Sequence, residues 1–188
     1  MIKLFNNFLT SKKADIIERD LLGMDFYWHY NYTTKDPNDT DFDTKNTFDT
    51  GQFIHKLLTN NNIENTRSNI YEGFSKVFDN VNYNIAERVK CNLNLNVTGY
   101  KKSSHQPIHQ DQILKGYMSL IYYINDSDGD TIFFNKDLKE TKRVKPKKNT
   151  AVLFDSNILH CGCNPIKSMR RAVINFIFKG NEKSILYR

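Results

Sequence analysis

The sequence predicts a mainly β protein of the α+β kind, with helices first and an antiparallel β unit after them. Three observations predict it. From Val89 the pattern V-K-C-N-L-N-L-N-V alternates apolar and polar without a break to Val97, the period-two mark of a half-buried strand. Further short strand-like runs follow closely, at about 105–112, 117–125, 131–134, 142–145, 150–154 and 171–178. Asp128-Gly129 marks a tight turn between two of them. Many short strands separated by turns make a sandwich or a barrel.

The elements before Val89 read as support. Ser11 can cap a helix through about Leu22, with Ile16, Ile17 and Leu21 on one side. The aromatic run FYWHYNY, 26–32, reads as a strand, and Trp28 as part of the core. A polar, acidic loop follows, KDPNDTDFDTKNT. It lacks the glycine that an EF-hand loop requires. Its residues 36–46 suit a solvated loop, with a lid as the alternative. A second helix is expected over about 67–79, where Ile70, Phe74, Val77, Phe78 and Val81 recur at helical spacing.

A chain of 188 residues suits one domain, 1–188, with 1–87 as support and 88–179 as the β core. At 39% hydrophobic and 13% aromatic it can bury that core. No run of 18 apolar residues exists, and the start MIKLFNNFLTSKK has no small-residue cleavage site. Neither a membrane span nor a signal peptide is expected, and the cytoplasm of the producing or host cell is the expected location. Cys91, Cys161 and Cys163 have no framework spacing and read as thiols. The charge of +6 favours acidic partners without specifying nucleic acid. Its densest run, KRVKPKK at 142–148, reads as an edge strand and turn kept soluble by lysine. Oligomeric state is not legible.

Chemistry enters with SHQPIHQDQ, 104–112. Residues two apart on a strand project to one face, so His109 and Asp111 could grip one ion. His160 follows at the end of LFDSNILH, 160 − 111 = 49 residues later. Two histidines and one carboxylate form a facial set for non-haem Fe(II), with open positions for cosubstrate and dioxygen. In SMRRAVINFIF an arginine begins the last strong strand, and a guanidinium can hold a carboxylate through two parallel bonds. A zinc site built from His160, Cys161 and Cys163 is the rival reading, short of ligands. His105 reads as polar rim, and His29 and His55 as structural.

These residues resemble the 2-oxoglutarate and Fe(II)-dependent oxygenases, most closely the prolyl 4-hydroxylase-like group; viral and phage members look similar. The resemblance spans roughly 88–179 and is carried by RVKCNLNL, HQD at 109–111, SLIYYIN, DGDTIFF, VKPKKNTAVLFDSNILH and RRAVINFIF. It implies a double-stranded β-helix, or jelly roll, backed by helices. It implies Fe(II) on His109, Asp111 and His160, which are also the catalytic set. It implies 2-oxoglutarate with its distal carboxylate on Arg171, with Arg170 as second candidate, helped by Tyr123 and, more loosely, by Tyr100. Dioxygen is the further cosubstrate, and ascorbate an auxiliary reductant the resemblance admits. The expected reaction hydroxylates a C–H bond, releasing succinate and carbon dioxide. A prolyl residue in a peptide or protein is the leading substrate. The rivals are a free amino acid, another side chain or a nucleobase, and a metal-binding jelly-roll module without turnover. The nucleic-acid demethylase branch usually carries a second arginine six residues after the first. Here 176 and 177 are phenylalanine and isoleucine, which argues against that partner.

Overall fold

The structure is a computed structural model that describes residues 1–34, 42–60 and 65–186. The chain runs β1 (Ile2–Phe5), α1 (Ser11–Leu22), β2 (His29–Asn31), β3 (Gln52–Asn60), β4 (Asn65–Arg67) and α2 (Tyr71–Ser75). A 3₁₀ turn (Lys76–Phe78) leads into β5 (Ile85–Leu95), β6 (Tyr117–Tyr123), β7 (Thr131–Phe134) and β8 (Glu140–Val144). Then come β9 (Thr150–Asp155), β10 (His160–Gly162) and β11 (Arg170–Lys179). The large sheet has the order β1-β9-β6-β11-β5-β3-β2, with β4 on β3, and the small sheet the order β10-β7-β8. The named pairings are antiparallel throughout.

The alternation read in the sequence becomes the two faces of the large sheet. On one face lie Val89, Cys91, Leu120, Tyr122, Leu153, Ile174, Phe176 and Phe178. They pack on Ile17 and Leu21 of α1 and on Phe74, Val77 and Phe78. Residues of opposite parity, Ile121, Tyr123, Val152, Phe154 and Val173, face the small sheet and meet its Phe133 and Val144. The two sheets therefore enclose an interior, and Phe133 and Phe154 cross it edge to face at 5.0 Å between centroids.

Several expectations change. The cap of α1 is Thr10, whose hydroxyl accepts from the Lys13 N–H, and Ile16 points outward while Ala14, Ile17 and Leu21 are buried. The second helix is shorter than its periodicity, because residues 65–67 pair with β3 instead. Of the aromatic run only His29–Asn31 is strand. Residues 105–112 form no strand; their backbone is held by isolated bridges at His105 and His109. The N-terminal half supplies strands on both sides of the large sheet, β1 on β9, and β3 on β5 with β2 beyond it. Most of the 36–46 loop, with any lid it forms, lies outside the described residues. β8 is an edge strand of the small sheet with exposed Lys142, as its charge predicts.

Candidate metal centre

His109 and His160 meet across a two-residue antiparallel bridge. Each backbone N–H donates to the other's carbonyl at 3.0 Å. Two residues later the chain bends, and the Asp111 N–H donates to the Ser156 carbonyl at 3.0 Å. The spacing of two thus works through a bridge and a bend rather than a continuous strand. One donor atom from each of His109, Asp111 and His160 lies within 4.8 Å of the others, and no other such group exists among the described residues.

The donor chemistry fits a divalent transition ion. His109 Nδ1 faces the Pro107 carbonyl at 3.2 Å, and His160 Nδ1 the Ile158 carbonyl at 2.9 Å. Those contacts assign the ring protons to Nδ1 and leave each Nε2 lone pair for a metal. His160 Nε2 lies 3.5 Å from Asp111 Oδ2. Burial, then the neighbouring His160, lowers the His109 pKa to about 4, so its imidazole is neutral at ordinary pH. Burial pushes the Asp111 carboxyl up. His160, Arg88 and His109 outweigh it and hold Asp111 well below the usual carboxylate range.

Three side chains orient that carboxylate. Arg88 donates to Oδ1 at 2.8 Å, Ser119 to Oδ2 at 2.7 Å, and the Asn175 amide to both at 3.1 and 3.3 Å. None of the three was singled out from the sequence. The signal was present: Ser119 and Asn175 are polar interruptions in the apolar strands MSLIYY and VINFIF, and both are buried. A polar residue inside an apolar run is informative only when it is buried.

Arg171 stands four residues before Asn175 on the same face of β11, about 13 Å along the strand. It is buried, with 4% exposure. Its Nε donates to the Gly129 carbonyl and Nη2 to Thr131 Oγ1, both at 2.8 Å. The Tyr123 hydroxyl donates to the same Thr131 oxygen at 2.9 Å. Burial pushes Tyr123 up to about 12, so it remains a neutral phenol. Gly129 is required here, since a Cβ would lie 2.5 Å from the Cys163 carbonyl. Arg171 Nη1 makes no hydrogen bond among the described residues. Arg170, by contrast, is exposed at the start of the strand. The structure therefore brings Arg171 and Tyr123 together.

Tyr100 does not join them. Its ring stacks on Phe48 at 5.7 Å and packs with Ile108, Ile132, Cys161 and Cys163. Ile132 and Cys161 alternate with Phe133 and His160 along paired strands, so this cluster is on the outer face of the small sheet. The looser placement of Tyr100 fails because 100–108 wraps outside the sheet instead of forming a strand within it. The zinc reading also lapses: Cys91 sits in the helix-side core, apart from Cys161 and Cys163. His105 is buried rather than on the rim, between Thr44 Oγ1 at 3.0 Å and the Gln106 carbonyl at 2.8 Å. His55 is structural, held by the Tyr27 carbonyl and Ser68.

Residues 95–179 match the family model of the 2OG-Fe(II) oxygenase superfamily. No curated protein matches the chain. Among solved structures, a prolyl-4-hydroxylase from Pseudomonas putida is similar, with 15% identity and a TM-score of 0.55, covering 96% of this chain and 92% of that one. A prolyl hydroxylase from Trichoplax adhaerens, in complex with a hypoxia inducible factor oxygen degradation domain peptide, has 14% identity and a TM-score of 0.60. It covers 95% of this chain and 83% of its own. The α-ketoglutarate-dependent epimerase SnoN of nogalamycin biosynthesis has 7% identity and a TM-score of 0.58, covering 95% and 77%. The fold is the mostly antiparallel β architecture of these oxygenases, the double-stranded β-helix.

Proposed function

We propose, from the premise that residues 95–179 match the 2OG-Fe(II) oxygenase superfamily, that the chain hydroxylates a prolyl C–H bond in a peptide or protein. The carrying observation is the convergence of His109, Asp111 and His160 within 4.8 Å. Iron(II) with 2-oxoglutarate supplies the oxidising chemistry when bound: one dioxygen atom goes to succinate, the other to the substrate, and carbon dioxide leaves.

The chain's own residues set the stage. The two imidazoles and the carboxylate would hold the metal, with Arg88, Ser119 and Asn175 fixing the carboxylate's orientation. The Nη1 edge of Arg171, without a hydrogen bond among the described residues, would take the distal carboxylate of 2-oxoglutarate. Tyr123, through Thr131, keeps that guanidinium in place. Between the two ends, Val173, Phe133 and Phe154 line the interior and exclude water. The span of about 13 Å along the strand, shortened by the side chains at each end, suits an extended five-carbon dicarboxylate. A peptide substrate is supported by the similarity to the peptide-bound prolyl hydroxylase. The same chemistry on another substrate is the second reading, favoured by comparable similarity to an epimerase.

Incubation with Fe(II), 2-oxoglutarate and proline-containing peptides should yield succinate and a mass gain of one oxygen on proline. Oxygen gained only by free amino acids or nucleotides would replace the peptide reading, and absence of succinate with every pool would refute the oxygenase. Turnover with and without ascorbate settles whether it is needed as reductant.

A further inference from the structure

On the outer face of the small sheet lies a cleft of about 470 Å³ that includes none of the three metal-centre residues. Its rim is cationic. Lys101 and Lys102 come from the segment after β5, Lys145 from the end of the KRVKPKK strand, and Lys167 from the turn before β11. None of the four makes an ion pair among the described residues. Two carboxylates, Asp128 and Asp130, also line the cleft and offset part of that charge, but the four lysines and Arg143 outnumber them. Asp128 accepts from the N–H groups of Ile166, Lys167 and Ser168 at 2.8–3.3 Å. Asp130 takes Arg143 at 3.4 Å, and Arg143 also pairs with Glu140 at 2.7 Å.

The cleft also holds an unspent polar group. Tyr100 lines it and is 7% exposed, yet its buried hydroxyl closes no hydrogen bond. The Asn164 backbone lies near it without completing one of normal geometry. A buried hydroxyl without a partner is uncommon. Burial raises its pKa, so it remains an O–H donor. Ser104 adds a second hydroxyl to the lining. Four ammonium groups without an ion pair among the described residues, and two hydroxyls, around one concavity match a compact ligand with several negative oxygens. Ammonium groups act there as point charges, which suits phosphate. The volume falls within the range of small-molecule sites.

We propose that this cleft binds a small oligophosphate, on the side of the small sheet opposite the metal centre. The site is independent of the hydroxylation reading, because its lining includes none of His109, Asp111, His160, Arg171 and Tyr123.

The test is calorimetric titration of the full metal-free chain with inorganic tripolyphosphate, with and without excess 2-oxoglutarate. Saturable one-to-one binding that 2-oxoglutarate leaves unchanged is expected. The double variant Lys101→Glu, Lys145→Glu should weaken it by about tenfold or more, as loss of charge-assisted bonds does. Tyr100→Phe should weaken it by a few-fold with an unchanged unfolding midpoint. Unchanged affinity in the charge-reversed variant overturns the proposal. So does competition by 2-oxoglutarate, which moves the anion to Arg171. Binding of a single-stranded oligonucleotide without tripolyphosphate binding also overturns it, making the cleft a nucleic-acid backbone contact. Succinate production by the iron-loaded charge-reversed variant should equal that of the parent.

Discussion

The two faces of the large sheet are made from the same strands and do opposite work. The face toward the helices carries Val89, Cys91, Leu120, Ile174, Phe176 and Phe178, and β11 buries no polar side chain there. The face toward the small sheet carries Arg171, Asn175, Tyr123, Ser119 and Arg88, around the carboxylate and the candidate clamp. Adjacent residues along β11 thus belong to a hydrophobic core and to the candidate metal centre. One face is held by packing, which is non-directional and tolerant of conservative change. The other is held by hydrogen bonds of defined geometry, where one missing partner leaves a buried charge exposed to its full desolvation penalty.

The largest effect should come from His109→Ala. Metal affinity and succinate production should fall to background, beyond the about 10–100-fold that loss of an outer partner causes. The unfolding midpoint should barely move; retained turnover would leave the inner face without its assigned role. On the opposite face, Phe176→Ala removes a fully buried ring packed 4.2 Å from Phe78. It should destabilise the fold by about 3–5 kcal/mol in denaturant titration, while the folded fraction binds metal as before. A parallel loss of metal affinity would mean that the faces are coupled.

Arg171→Ala should raise the 2-oxoglutarate concentration for half-maximal turnover on the order of tenfold to a hundredfold. Arg170→Ala should change it little, and the reverse result would move the clamp to the exposed residue. The smallest effect is acid sensitivity. The folded pKa of His109, about 4, lies below the unfolded value of about 6.5. Between the two, the unfolded chain binds more protons, so stability falls as pH drops through that window. For the metal-free protein this amounts to about 2 kcal/mol between pH 7 and 5, read from denaturant midpoints. His109→Asn should flatten that dependence.

Much of this division was legible in the sequence. The unbroken alternation from Val89 announced a strand with two unlike faces, and β5 is that strand. The convergence of His109, Asp111 and His160 and the interior position of Arg171 were legible because their residue types are restricted by chemistry. Tyr100 was not, because a tyrosine serves equally as core, wall or ligand, and only the path of 100–108 decides which. The helix at 67–79 was overstated because periodicity cannot register that Asn65–Arg67 pairs with a strand. The strands β1 and β3 escaped notice because their partners, β9 and β5, lie in later segments of the chain. Arg88 was hidden for a similar reason: its value depends on Asp111 arriving beside it from another segment.

The reciprocal backbone bridge between His109 and His160 has a consequence for how the protein handles its ion. The bridge is made of main-chain bonds that need no cation to form, so loading should need little conformational search. Capture and release should then run on a polypeptide that stays folded throughout.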